Sequence, residues 1–184
     1  DFNQLELDNH TLTLANATTD LQISSAVTMD NSSEFIFTGN ADLTMLSELK
    51  ISAGGVRSTG GTLSFQGGGQ LTGTGTIDFT ESTWVTGSSI IKHDGGSFVF
   101  YQTNLRLGKD TTITSDQLIN VALLELNGFI LTLGDNASDL TVAASLIIDE
   151  STEGISTGEA DLILIGALTM SEGLLQSDNG SIIL

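Results

Sequence analysis

Four aspartates recur at one place in a repeating pattern. Asp20 and Asp42 each precede a short apolar run and stand 22 positions apart, and Asp139 and Asp161 repeat the pair at the same spacing. In successive coils of a chain such carboxylates would lie one strand spacing apart, where like charges repel unless a cation or a proton intervenes. Hard oxygen ligands of this kind suit Ca2+. The same residues suit turns, in which each carboxylate accepts hydrogen bonds from nearby backbone N–H groups. The turn role is favoured, because the Gly-Gly-x-Gly-x-Asp nonapeptide of calcium rolls is absent. A second set, Asp8 with Asp30 and Asn127 with Asp149, runs on into Ser52 and Ser171 and reads as turn chemistry.

Lys92-His93-Asp94 is the single cluster of mixed chemistry, with Arg106 and Lys109 downstream. A β-helix lyase would need acidic groups holding a cation beside an Arg or Lys base. A His between Lys and Asp, ahead of Gly95-Gly96, is expected in a solvated turn. His10 falls several coils away, and no nucleophile elbow, P-loop or zinc spacing is present. No catalytic residue is therefore assigned. The sequons at Asn16, Asn31, Asn136 and Asn179 are expected by chance in a chain this rich in Asn, Ser and Thr.

The elements that must position these residues come from repetition. Residues 5–65 and 124–184 are one 61-residue segment written twice at an offset of 119, with 22 identical positions. Inside it runs a shorter period. Leu5, Val27, Leu49 and Leu71 are 22 apart, as are Leu124, Leu146 and Leu168. A second set comprises Leu12, Phe35, Val56, Ile77, Leu131, Ile155 and Leu175. A third comprises Leu21, Leu43, Leu63, Trp84, Leu140, Leu162 and Ile182. Each unit thus holds three runs of apolar/polar alternation, the period-2 signature of half-buried strands, joined by Gly, Asn, Asp and Ser. A fixed register of this length points to a solenoid rather than a sandwich.

The expected fold is all-β: a parallel β-helix, or three-faced β-solenoid, of about eight coils of roughly 22 residues in a single domain, 1–184. Between the copies, residues 66–123 are expected to form about two longer, irregular coils, since three coils of 22 leave 53 of the 119 residues. At about 4.8 Å per coil the rod would be roughly 38 Å long.

Composition narrows the partners. There are no Pro and no Cys, so a stacked ladder is unobstructed and no disulfide framework exists. Five basic residues face 23 acidic ones, for a net charge of −18. Nucleic acid and anionic membrane surfaces want clustered Lys and Arg, and are excluded as partners on this ground. No apolar stretch approaches the ~18 residues that a bilayer-spanning helix requires.

The cadence LELNGxxLTLG…DLTV over residues 124–142, with its Asn127-Gly128 turn, resembles the repeats of bacterial surface β-helices. These include autotransporter passengers and filamentous-haemagglutinin-like adhesins. The resemblance implies export, an extracellular or cell-surface location and a stalk or adhesive role; it carries no catalytic motif and no cofactor. The expected function is a non-enzymatic rod module of a bacterial surface protein, whose partners are further repeats of the same array or a surface glycan or protein. Because Leu184 matches Phe65, where the first copy runs on, a head-to-tail filament joined through uncapped solenoid ends is an alternative expectation. A carbohydrate-active β-helix enzyme, with its groove near residues 92–109, is the third.

Overall fold

The computed structural model describes residues 5–14, 19–87, 90–134 and 139–184, without the side chains of Ile90 and Lys92. Among them are 21 short strands and no helix. All strand pairs are parallel, and they stack into a β-solenoid of about eight turns. Alternation dictates this arrangement. In Leu21–Ile23, Val27–Met29, Leu43–Met45 and Leu49–Ile51 the first and third side chains are buried and the middle one faces outward.

Three walls enclose the core. The first carries Val27–Met29, Leu49–Ile51, residues 69–71 and 90–93, Thr111–Ser115, Ile130–Leu133, Gly154–Ser156 and Leu174–Gln176. The second begins with Thr11–Thr13, Phe35–Gly39, Gly55–Ser58, then residues 76–78 and 97–99. The third holds one unbroken column: Leu21, Leu43, Leu63, Trp84, Leu105, Leu124, Leu146 and Leu168. All of these but Leu168 are buried, and burying such a side chain contributes about 1.5–3 kcal/mol relative to leaving it exposed. In the middle of the rod the core holds an aromatic cluster, with Phe79 stacked on Trp84 at 4.9 Å and on Phe100 at 5.5 Å.

Two register expectations fail locally. Ile36, not Phe35, faces inward between Leu12 and Val56, and Leu71 stacks on Ile51 while Gly69 takes the place above Leu49. Nor are the middle turns longer. Successive members of the third-wall column from Leu43 to Leu124 lie 20, 21, 21 and 19 residues apart, because the corners there are tight. Residues 66–123 therefore contain more than two turns.

The extra fraction of a turn rotates the second copy. Leu12 stands on the second wall, but its equivalent Leu131 stands on the first. Leu21 stands on the third wall, but its equivalent Leu140 pairs with Ile119 and Leu162 on the continuation of the second. Five steps up the third wall lead from Leu21 to Leu124, and two walls more lead to Leu140. The 119-residue offset thus spans five and two-thirds turns, and each repeated surface feature reappears one wall round and about 27 Å along the axis.

At the junction the second wall is interrupted: residues 97–99 and 119–121 share no ladder pairing. The side chain of Gln117 fills the gap. Its Nε2 donates to the Phe98 carbonyl at 2.6 Å, and its Oε1 accepts the Phe98 N–H at 2.9 Å. One amide side chain supplies both bonds of a missing strand residue.

Candidate functional site

The four repeated aspartates do not form one ladder. The one-wall rotation puts Asp20 and Asp42 at the corner leading into the third wall, and Asp139 and Asp161 at the corner leading into the second. Each carboxylate accepts a backbone N–H from the next turn. Asp20 Oδ1 takes the N–H of Asp42 at 3.1 Å, and Asp42 Oδ1 takes that of Thr62 at 2.7 Å. Asp139 and Asp161 do the same with the N–H groups of Asp161 and Ser181, at 2.9 and 2.6 Å. Between stacked carboxylates there is thus a donor already in place, so a cation is not required to relieve their repulsion. Among the described residues no group of three or more Asp, Glu or His side chains is placed to hold a metal ion.

The most constrained acidic groups are two that sequence reasoning passed over. Glu34 and Glu153 are equivalent positions, 8% and 4% exposed, each closing a corner where the chain turns onto the next wall. Glu34 accepts the N–H groups of Asn9, Asp30 and Asn31 at 3.3, 3.0 and 3.3 Å. Glu153 accepts those of Gly128, Asp149 and Glu150 at 2.8, 2.7 and 3.2 Å. Two of these donors belong to the same turn and one to the turn before, so the carboxylate ties neighbouring turns together. Burial raises the pKa of each glutamate, but the three N–H donors lower it more, and both stay below the usual carboxylate range. A detectable signal existed: both are among the identical positions of the two copies, and both stand four residues after a repeated Asp.

Beside each of these glutamates is a cleft. The first-copy cleft, about 550 Å³, is lined by Leu5, Glu6, Asp8, Ser25 and Glu34 among others. The second-copy cleft, about 320 Å³, has the equivalent Glu125 and Glu153, with Asp149 and Glu150. Glu125 is engaged by Arg106, whose Nε lies 2.5 Å from its Oε2. Asp149 and Glu150 are exposed at the mouth. The two clefts are therefore acidic, similarly built and turned one wall apart.

The cluster expected as a solvated turn is not one. His93 points into the bore, 3% exposed, one turn above Leu71. Its Nδ1 lies 2.5 Å from Oδ1 of Asp116 and 3.1 Å from Oγ of Ser115, and its ring stacks on Phe98 at 4.4 Å. The register explains the difference: His93 occupies the inward position that Met29, Ile51 and Leu71 hold in earlier turns. Ser, His and Asp meet here, but both partners address the same ring nitrogen, while Nε2 is buried without a partner. A nucleophilic triad needs Ser and Asp on opposite nitrogens. Asp94 and Lys109 are exposed, and Arg106 projects from the third wall, so the basic candidates do not converge on His93. The Lys92 side chain lies outside the described residues, as do the sequons at Asn16 and Asn136.

Burial pushes the His93 imidazole below its ordinary value, and Asp116 and Asp94 pull it back only in part. Asp116 is 56% exposed, so water screens its attraction for a charged ring.

Walls, columns and corner glutamates define the class as a parallel β-solenoid. Comparison of the chain with family models, curated proteins and solved structures gives no match.

Proposed function

We propose that the protein is a non-catalytic structural or adhesive rod module, acting outside the cell through its walls. The observation that carries this reading is the unbroken third-wall column, over which one 61-residue segment is used twice. Duplication lengthens a solenoid without adding a new fold, and stacked repeats yield extended surfaces suited to binding. The corner glutamates tie neighbouring turns together, and a stalk under tension needs such cohesion. A charge of −18 favours solubility and mutual repulsion of neighbouring rods, and argues for a partner that is neutral or cationic.

The test immobilises the purified protein on beads and measures adherence to arrays of neutral glycans, matrix proteins and cell surfaces. In parallel, polyuronates and neutral polysaccharides are incubated with the soluble protein. Saturable adherence without product release is the expected result. Turnover of any polysaccharide would replace this reading with a carbohydrate-active enzyme.

A further inference from the structure

The junction between the copies holds a buried ionisable side chain, His93, and a place where a side chain, that of Gln117, stands in for the ladder of a wall. His93 and Gln117 meet there through Ser115, whose Oγ lies 3.1 Å from His93 Nδ1 and donates to the Gln117 carbonyl at 2.8 Å. Phe98 joins them from the other side: its ring lies against His93, and its backbone is held by the Gln117 amide. Asp116, between Ser115 and Gln117, binds the imidazole through Oδ1 and accepts the Gly95 N–H through Oδ2 at 3.0 Å.

The geometry assigns the proton states. With a carboxylate at Nδ1, the neutral ring carries its hydrogen there and leaves Nε2 bare. A second proton must go to Nε2, which is buried with no acceptor. Leu71 lies in register on one side and Ser115 on the other, and among the described side chains the charged groups acting on the ring are Asp116 and Asp94, both exposed. A buried cation with an unpaired N–H is costly, and swinging the ring to solvent relieves it.

We infer that His93 makes the junction a proton-sensitive joint: in mild acid the ring leaves the bore, Ser115–Gln117 moves with it, and the second wall opens between the two copies. The rest of the solenoid, held by backbone ladders and apolar columns, stays closed. The outcome is a rod that is stiff at neutral pH and hinged in acid.

The chain has two histidines, His10 and His93, so the test is clean. Amide hydrogen exchange on the whole protein, corrected for intrinsic rates, is compared at pH 7.5 and 5.0. The Phe98 amide is expected to exchange at least tenfold faster at pH 5.0, while the Leu43 and Leu63 amides do not change. The ring resonances are titrated in the same samples, and the opening midpoint should follow His93 and not His10. His93→Leu, which continues the Ile51–Leu71 column, should abolish the acid response. Unchanged Phe98 protection, a midpoint that follows His10, or an acid response that persists in H93L would each overturn the joint.

Discussion

Replacing Glu153 by alanine removes the acceptor of three backbone N–H groups at once, those of Gly128, Asp149 and Glu150. Hydrogen bonds to charged groups contribute roughly 1.5–3 kcal/mol each. The three share one acceptor, and water can reach part of the opened corner, so a loss of about 3 kcal/mol is expected rather than the full sum. Glu153→Gln keeps one acceptor oxygen and should lose about half as much. With a urea m-value of about 2 kcal/mol/M, E153A should lower the midpoint by roughly 1.5 M. Glu172→Ala, at an exposed position, is the control and should stay within about 0.5 kcal/mol. The dependence on pH has a definite sign. The folded pKa of Glu153 lies below the ordinary glutamate value, so its contribution is complete above that ordinary value and disappears as pH falls through the folded pKa. Wild type and E153A should therefore converge in strong acid. An E153A midpoint within about 0.3 M of wild type at pH 7, or a gap that persists in strong acid, would refute the clamp. Glu34→Ala should act in the same direction but less strongly, because its three hydrogen bonds are on average longer.

Asp42→Ala should cost about 1 kcal/mol and Asp42→Asn little, since an amide oxygen can still accept the Thr62 N–H; chelators should leave the thermal midpoint unchanged. A cation-dependent midpoint would show that the aspartates serve a metal after all. Gly54→Ala should lose about 2–3 kcal/mol: Gly54 has φ +73°, and a Cβ would stand 2.6 Å from the Asn31 carbonyl oxygen and closer still to that of Glu34. Thermal unfolding tests this, and a neutral result would contradict the corner geometry. Gln117→Leu keeps the bulk but strands both polar groups of Phe98, and should cost about 2 kcal/mol with faster exchange at Phe98. Undisturbed exchange there would mean that the junction does not rely on the amide.

The duplication supplies its own control on which features the fold requires. Between equivalent positions the inward apolar residues are kept or exchanged among themselves, as Leu21, Ile23 and Val27 are for Leu140, Val142 and Leu146. Outward positions drift: Phe35, Phe37 and Arg57 become Gly154, Ser156 and Gln176. What persists outside the bore is the corner chemistry, Asp20, Asp42 and Glu34 with their partners in the second copy. Those carboxylates hold backbone N–H groups that any solenoid corner leaves unpaired.

The sequence by itself determined the strands, the three-walled solenoid and most of its columns. Alternation marks inward residues directly, and stacked neighbours must match in type, so Leu21, Leu43, Leu63 and Trp84 announce one another at near-constant spacing. Only the tertiary structure decided where the second copy stands and what the corner glutamates hold. A sequence offset counts residues, whereas position in a solenoid depends on how many residues each corner absorbs. Turns of 19 to 22 residues all close on the same ladder. Over the tight middle turns the shortfall from 22 accumulates to seven residues, about one wall, and the resulting offset of five and two-thirds turns sends repeated sequence to a different wall. His93 owes its inward place to no such slippage: it stands 22 residues after Leu71 and pairs with it, so the repeat period already carried it into the apolar column. Glu34 and Glu153 gather donors from two turns, and such convergence exists only once the turns are stacked.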